Sequence, residues 1–219
     1  WSLGTTDGPD ESQTVTITAD DGEDEATVDF ELTVNNVAPT VTVAGADTVY
    51  YVDWTSADVG GGTASGLITL PDGSTVAVTF EAVFPNDDPG SLYGAQTSGG
   101  TNYWIPSAPY ISPQVPNAPP DSDILQLEGG QNQIYRVTLS EAIRDPIMAI
   151  VSLGSSAPNG TITYDFDSPF TIVSQGAGYW GGGPSSLVPL AGDILQGSEG
   201  HGTIRFRETL STFSWTAPD

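Results

Sequence analysis

The sequence predicts an all-β protein, and three observations carry that expectation. Apolar residues alternate with polar ones in short runs, turn-forming Gly, Pro, Asn and Asp recur every ten to fifteen residues, and no stretch keeps apolar residues at helical spacing for three turns. The 219 residues include 26 Gly and 17 Pro beside five Trp, eight Tyr and seven Phe. Long turns are thus combined with side chains large enough to fill a core. The expected architecture is a partial Ig/PKD-like hairpin over residues 1–44 followed by a larger, jelly-roll-like β-sandwich over residues 45–219.

Taken in order, the first element is a hairpin. Val15 and Ile17 alternate with threonines, Asp20-Asp21-Gly22 supplies a turn, and Val28, Phe30, Leu32 and Val34 alternate again, giving one apolar and one wet face. Pro39 then ends strand pairing, so residues 34–41 read as a linker between β domains. Ile68 and Leu70, the Pro71-Asp72-Gly73 turn, and Val76, Val78 and Phe80 form a second hairpin. Further strands are expected at Ile124–Leu127, Ile134–Leu139, Ile147–Leu153, Thr161–Phe166, Phe170–Val173, Thr203–Phe206 and Thr212–Trp215. Trp54 and Trp215 lie in such runs and are expected in the core. Residues 85–123 are irregular but hold Tyr93, Tyr103, Trp104 and Tyr110, and that aromatic content predicts a loop that packs or binds.

The run V-T-I-T-A-D-D-G-E-D-E-A-T-V-D-F-E-L-T-V-N-N-V-A-P-T-V resembles the closing strands of a PKD or cadherin-like repeat of bacterial surface proteins, over about residues 12–43. The resemblance implies a chain that opens inside a repeat, with the missing strands lying outside this sequence or supplied by another chain. It also implies calcium oxygens near Asn35 and Asn36, although the aspartate that such linkers place between the asparagines is missing here. I-M-A-I-V-S-L-G, G-Y-W-G-G-G and G-S-E-G-H-G-T-I resemble a module of exported bacterial proteins, which bears on location and not on chemistry.

Composition narrows function by exclusion. There is no lysine, and four arginines stand against 28 Asp and Glu, for a formal charge of −24. The first basic residue is Arg136. Such a field repels phosphate backbones and anionic lipid, so nucleic acid and membrane insertion are not expected. Without lysine or cysteine there is no Schiff-base, P-loop or thiolate chemistry. Acidic, Gly- and Pro-rich composition fits an extracellular or cell-surface protein, where calcium is plentiful.

Calcium is accordingly the expected cofactor. The candidate ligands are Asp165 and Asp167, two apart on a strand and so on one face, with Asp121 and Asp123 in P-P-D-S-D and Asp87 and Asp88 in P-N-D-D-P-G as loop oxygens. The alternative for each is an Asx turn. A saccharide platform needs flat rings in open surroundings, and Tyr103, Trp104, Tyr110, Tyr179 and Trp180 are the candidates. His201 is the single histidine, with Glu199 two residues away. A glycosidase would need two placed carboxylates such as Glu128 and Glu199, and a serine hydrolase a nucleophile elbow, which is absent; a turn histidine held by backbone is the expectation. The sequence therefore points to a non-enzymatic, calcium-stabilised surface module in adhesion or assembly. Two alternatives are a carbohydrate-binding module and a subunit of an extracellular fibre joined by strand pairing between copies.

Overall fold

A computed structural model describes residues 11–20, 22–34, 48–157 and 160–218. The chain divides into two compact units, Trp1–Val43 and Ala44–Asp219.

In the first unit β1 (Glu11–Asp20) and β2 (Glu25–Val34) form an antiparallel hairpin, in register from Asp20 opposite Glu25 to Glu11 opposite Val34. Its turn is closed by the Gly22 N–H, which donates to Asp20 Oδ1 at 2.7 Å. Ile17 and Val28 face each other across the strands and stay 58% and 64% exposed, so the apolar face expected here is open at this pair. Asp21, the linker residues Asn35, Asn36 and Pro39, and the side chains of Val15, Phe30, Leu32 and Val34 lie outside the described residues.

The second unit is a β-sandwich of unequal layers. Its strands are β3 (Asp53–Asp58), β4 (Thr63–Thr69), β5 (Thr75–Val83), β6 (Gly94–Gln96), β7 (Ile124–Gln126), β8 (Ile134–Arg144), β9 (Ile147–Leu153), β10 (Ile162–Phe166), β11 (Phe170–Gln175), β12 (Leu187–Pro189), β13 (Ile194–Gly197), β14 (Gly200–Phe206) and β15 (Thr209–Thr216). Eight of them form an antiparallel sheet in the order β12-β13-β10-β15-β8-β5-β4-β3; β11-β14-β9 form a second sheet and β6-β7 a small ribbon.

Period-two patterning builds the core. Along β5, Val76, Val78, Phe80 and Ala82 are buried while Thr75, Ala77 and Thr79 are exposed. The hairpin to β4 works because Gly73 sits at φ +84°, a conformation that costs a side-chain-bearing residue dearly, and because Asp72 accepts from the Ser74 amide and hydroxyl. Phe80, Tyr135, Phe166, Phe213 and Trp215 from the large sheet meet Ile150, Ile204 and Phe206 from the small one. Tilted and edge-on rings at 4.7 to 6.2 Å hold this centre together, a geometry aromatic quadrupoles favour. Across β5 and β8, Glu81 and Arg136 stand directly opposite and form an ion pair.

The long loop packs. A 3₁₀ turn at Ala108–Tyr110 and the Ser112–Val115 bridge lie on the outer face of the small sheet, with Tyr110 and Val115 fully buried. Arg205 on β14 binds the loop by donating to Gln114 Oε1 and to the Gln114 carbonyl.

Candidate functional site

The site begins with β14. Ile204 and Phe206 point into the core, so alternation turns His201, Thr203 and Arg205 to the opposite face, under the long loop. Gly200 and Gly202 flank His201 because a β-carbon would strike Leu187 at one and the Ser174 carbonyl at the other. Opposite His201, β9 bulges: Gly200 pairs Leu153 while Gly202 pairs Ile150. The extra residue is absorbed at Ser152, whose φ of +56° is left-handed. The bulge aims the Ser152 N–H at His201 Nδ1, 3.3 Å away. Tyr110 Oη lies 3.1 Å from the same nitrogen.

Those contacts fix the protonation state. Nδ1 receives a backbone donor, so it carries no hydrogen and the ring proton sits on Nε2. Burial lowers the His201 pKa, opposed by the Glu199 carboxylate, and burial also raises that of the Tyr110 hydroxyl, which therefore remains a donor. Nε2 has no hydrogen-bond partner among the described residues and stands 3.7 Å from Glu199 Oε1. Glu199, itself at φ +56° in the β13–β14 connection, instead accepts from the Ser152 hydroxyl. With Oγ turned to Glu199 and only the amide of Ser152 on the imidazole, the serine–histidine bond of a nucleophilic triad is not formed. The expected turn histidine is thus a fully buried strand histidine.

Above this cluster lies an aromatic patch. Gly178 packs directly on the His201 ring, and the following Tyr179 and Trp180 project outward, 47% and 50% exposed. Tyr103 stacks on Trp180 at 4.8 Å and 21°, and meets Tyr179 edge-on at 5.1 Å. Trp180 lies nearly parallel to His201 at 6.4 Å. Of the five rings expected to bind, these three come together at the surface. Trp104 and Tyr110 are buried at 7% and 0% exposure, edge-on to each other at 5.2 Å, and Trp104 Nε1 donates to the Asp123 carbonyl at 3.1 Å. Those two belong to the packing of the loop, which corrects their assignment as ligand contacts.

The expected calcium ligands are not gathered into one place. Asp167 accepts from the Ser214 amide at 3.0 Å and hydroxyl at 2.7 Å, tying β15 to the end of β10, while Asp165 faces solvent. Asp88 accepts from Asn86 in an exposed turn that Asp87 enters at φ +64°. Asp123 accepts from the Trp54 N–H at 3.0 Å, and its pKa is raised by burial above all, countered by that N–H, with Asp53 and Asp121 repelling. Among the described residues no three Asp, Glu or His side chains meet as a metal centre. Sequence reasoning missed Ser152 and the Ser152–Glu199 contact; the only local hint was the glycine-flanked histidine. No helix among the described residues is long and apolar enough to cross a membrane.

No protein-family model matches the chain, nor does any curated protein or solved structure.

Proposed function

We propose that this chain is a non-enzymatic binding module of an exported or cell-surface protein, and that it holds a neutral polysaccharide on Tyr103, Tyr179 and Trp180. The observation that carries this reading is the mutual packing of three rings at the surface, backed by the Tyr110–His201–Ser152–Glu199 cluster. Rings fixed from beneath lose little freedom on binding, so more of the stacking energy appears as affinity. Flat apolar rings suit the C–H faces of a pyranose. The charge of −24 selects against anionic chains and leaves neutral ones.

Tryptophan emission during titration with neutral glucans, xylans and mannans tests the reading. Saturable change in the native chain, lost in Trp180→Ala with the fold intact, is the expected result. A flat titration across all the neutral polysaccharides removes it.

A further inference from the structure

We propose that the open edge of β11 is a strand-addition site for a second copy of this chain, and that it receives a strand of that copy's β1–β2 hairpin. Among the described residues β11 hydrogen-bonds a strand on one side only, β14. Along its other side runs a groove of about 510 Å³ lined by all six β11 residues and by Pro189 of β12. Successive side chains of a strand point to opposite faces, so a groove touched by every one of them follows the backbone edge. The bonds from the Arg207 N–H to the Pro169 carbonyl and from the Gly176 N–H to the His201 carbonyl set the pairing phase at the two ends. In that phase Thr171 bonds β14, whereas Phe170 and Ile172 turn their N–H and C=O groups into the groove. Across the gap Pro189 offers no N–H, so β12 cannot close the edge by itself.

The occupant follows from charge and from the other open edges of the chain. The lining holds no acid, although the protein carries 28. On the β14 side of β11, Arg205 stands opposite Thr171 and the exposed Arg207 opposite Pro169, so two of the four arginines lie one strand's width from one end of the edge. Residues 11–34 carry eight acids and no basic residue. Among the described residues the hairpin forms a two-stranded sheet, each strand ten residues long against six in β11, and shows Ile17 and Val28 to solvent. A two-stranded ribbon is marginal in water, and adding it to a sheet edge satisfies both partners. One copy offering a hairpin and a groove can take a neighbour at each, which leads to a chain of subunits.

The protein has no cysteine, so single introduced thiols report the contact cleanly. Val173→Cys and Ile17→Cys chains, mixed in about 0.15 M salt under mild oxidation, should cross-link on the order of tenfold faster than either alone, since docking raises the effective concentration of the pair. Sedimentation of the native chain should show association that rises with concentration and is lost in the Ile17→Lys/Val28→Lys variant, whose changes are at exposed positions. Equal cross-linking rates, a native chain that stays monomeric at every concentration, or a Val173→Cys/Ile17→Cys chain that links only within itself at high dilution each overturn the proposal.

Discussion

Trp104 and Trp180 show how much one residue's surroundings decide. Both belong to aromatic, loop-borne pairs, yet Trp104 is buried with its indole N–H bonded, and Trp180 is half exposed. Trp104→Ala should therefore cost about 3 to 5 kcal/mol, the usual penalty for emptying a core aromatic site. Trp180→Ala should cost about 1 kcal/mol or less, the worth of an exposed stacking contact. Urea unfolding of the two variants checks the contrast, and equal losses contradict it. Asp123 supplies a second prediction. Its folded pKa is raised, so the folded chain holds that proton more tightly than the unfolded one. The resulting stability is present below the unfolded value of about 3.9 and is lost as pH rises through the raised folded value. Removing the repelling neighbour should lessen that loss: Asp53→Asn should melt higher than the native chain at neutral pH, with the difference shrinking towards pH 3. A difference that stays constant with pH argues against coupling between the two carboxyls.

At the scale of elements, what the sequence made legible and what it hid have separate physical causes. β9 is found at the expected Ile147–Leu153 because an apolar run, Ile147–Val151, lies between Pro146 and Gly154 and is interrupted only at Ser152. The β4–β5 hairpin is equally plain, since Pro71-Asp72-Gly73 leaves the backbone few other courses. β6, β12 and β13 went unread because strands of three or four residues are too short to show alternation. The aromatic patch was half legible for a related reason. Adjacent residues such as Tyr103 and Trp104 part company, one joining Trp180 outside and the other Tyr110 inside, and only tertiary packing decides which goes where. The Ser152 bulge left no local mark, because its purpose lies in a histidine on another strand. The loop after β11 gives a prediction at this scale. A β-carbon at Gly178 runs into the His201 ring, so Gly178→Ala must push the Tyr179–Trp180 segment outward. Overpacking of this kind costs about 1 to 3 kcal/mol. Polysaccharide binding should weaken along with stability, read by a thermal melt and a titration on the same sample. Unchanged binding with lowered stability separates the patch from its support.

Charge acts on the molecule as a whole. A net −24 on 22.7 kDa makes the compact state repel itself, and the four arginines cannot offset that. Sodium chloride should raise Tm steadily as the screening length falls from about 10 Å at 0.1 M to about 3 Å at 1 M. Calcium should raise it further at matched ionic strength. Asp53 and Asp121 each repel Asp123 in the folded chain, and a divalent ion drawn to that excess charge would relieve the repulsion. Binding to the native state alone adds about 2.7 kcal/mol at a hundred times Kd. Asp123→Asn separates the two effects, because asparagine still accepts from the Trp54 N–H but gives up the charge. The variant should keep the sodium response and lose most of the calcium increment. Melts that coincide in calcium and in chelator at one ionic strength exclude the specific effect, and an increment that survives Asp123→Asn places the ion elsewhere in the acidic field.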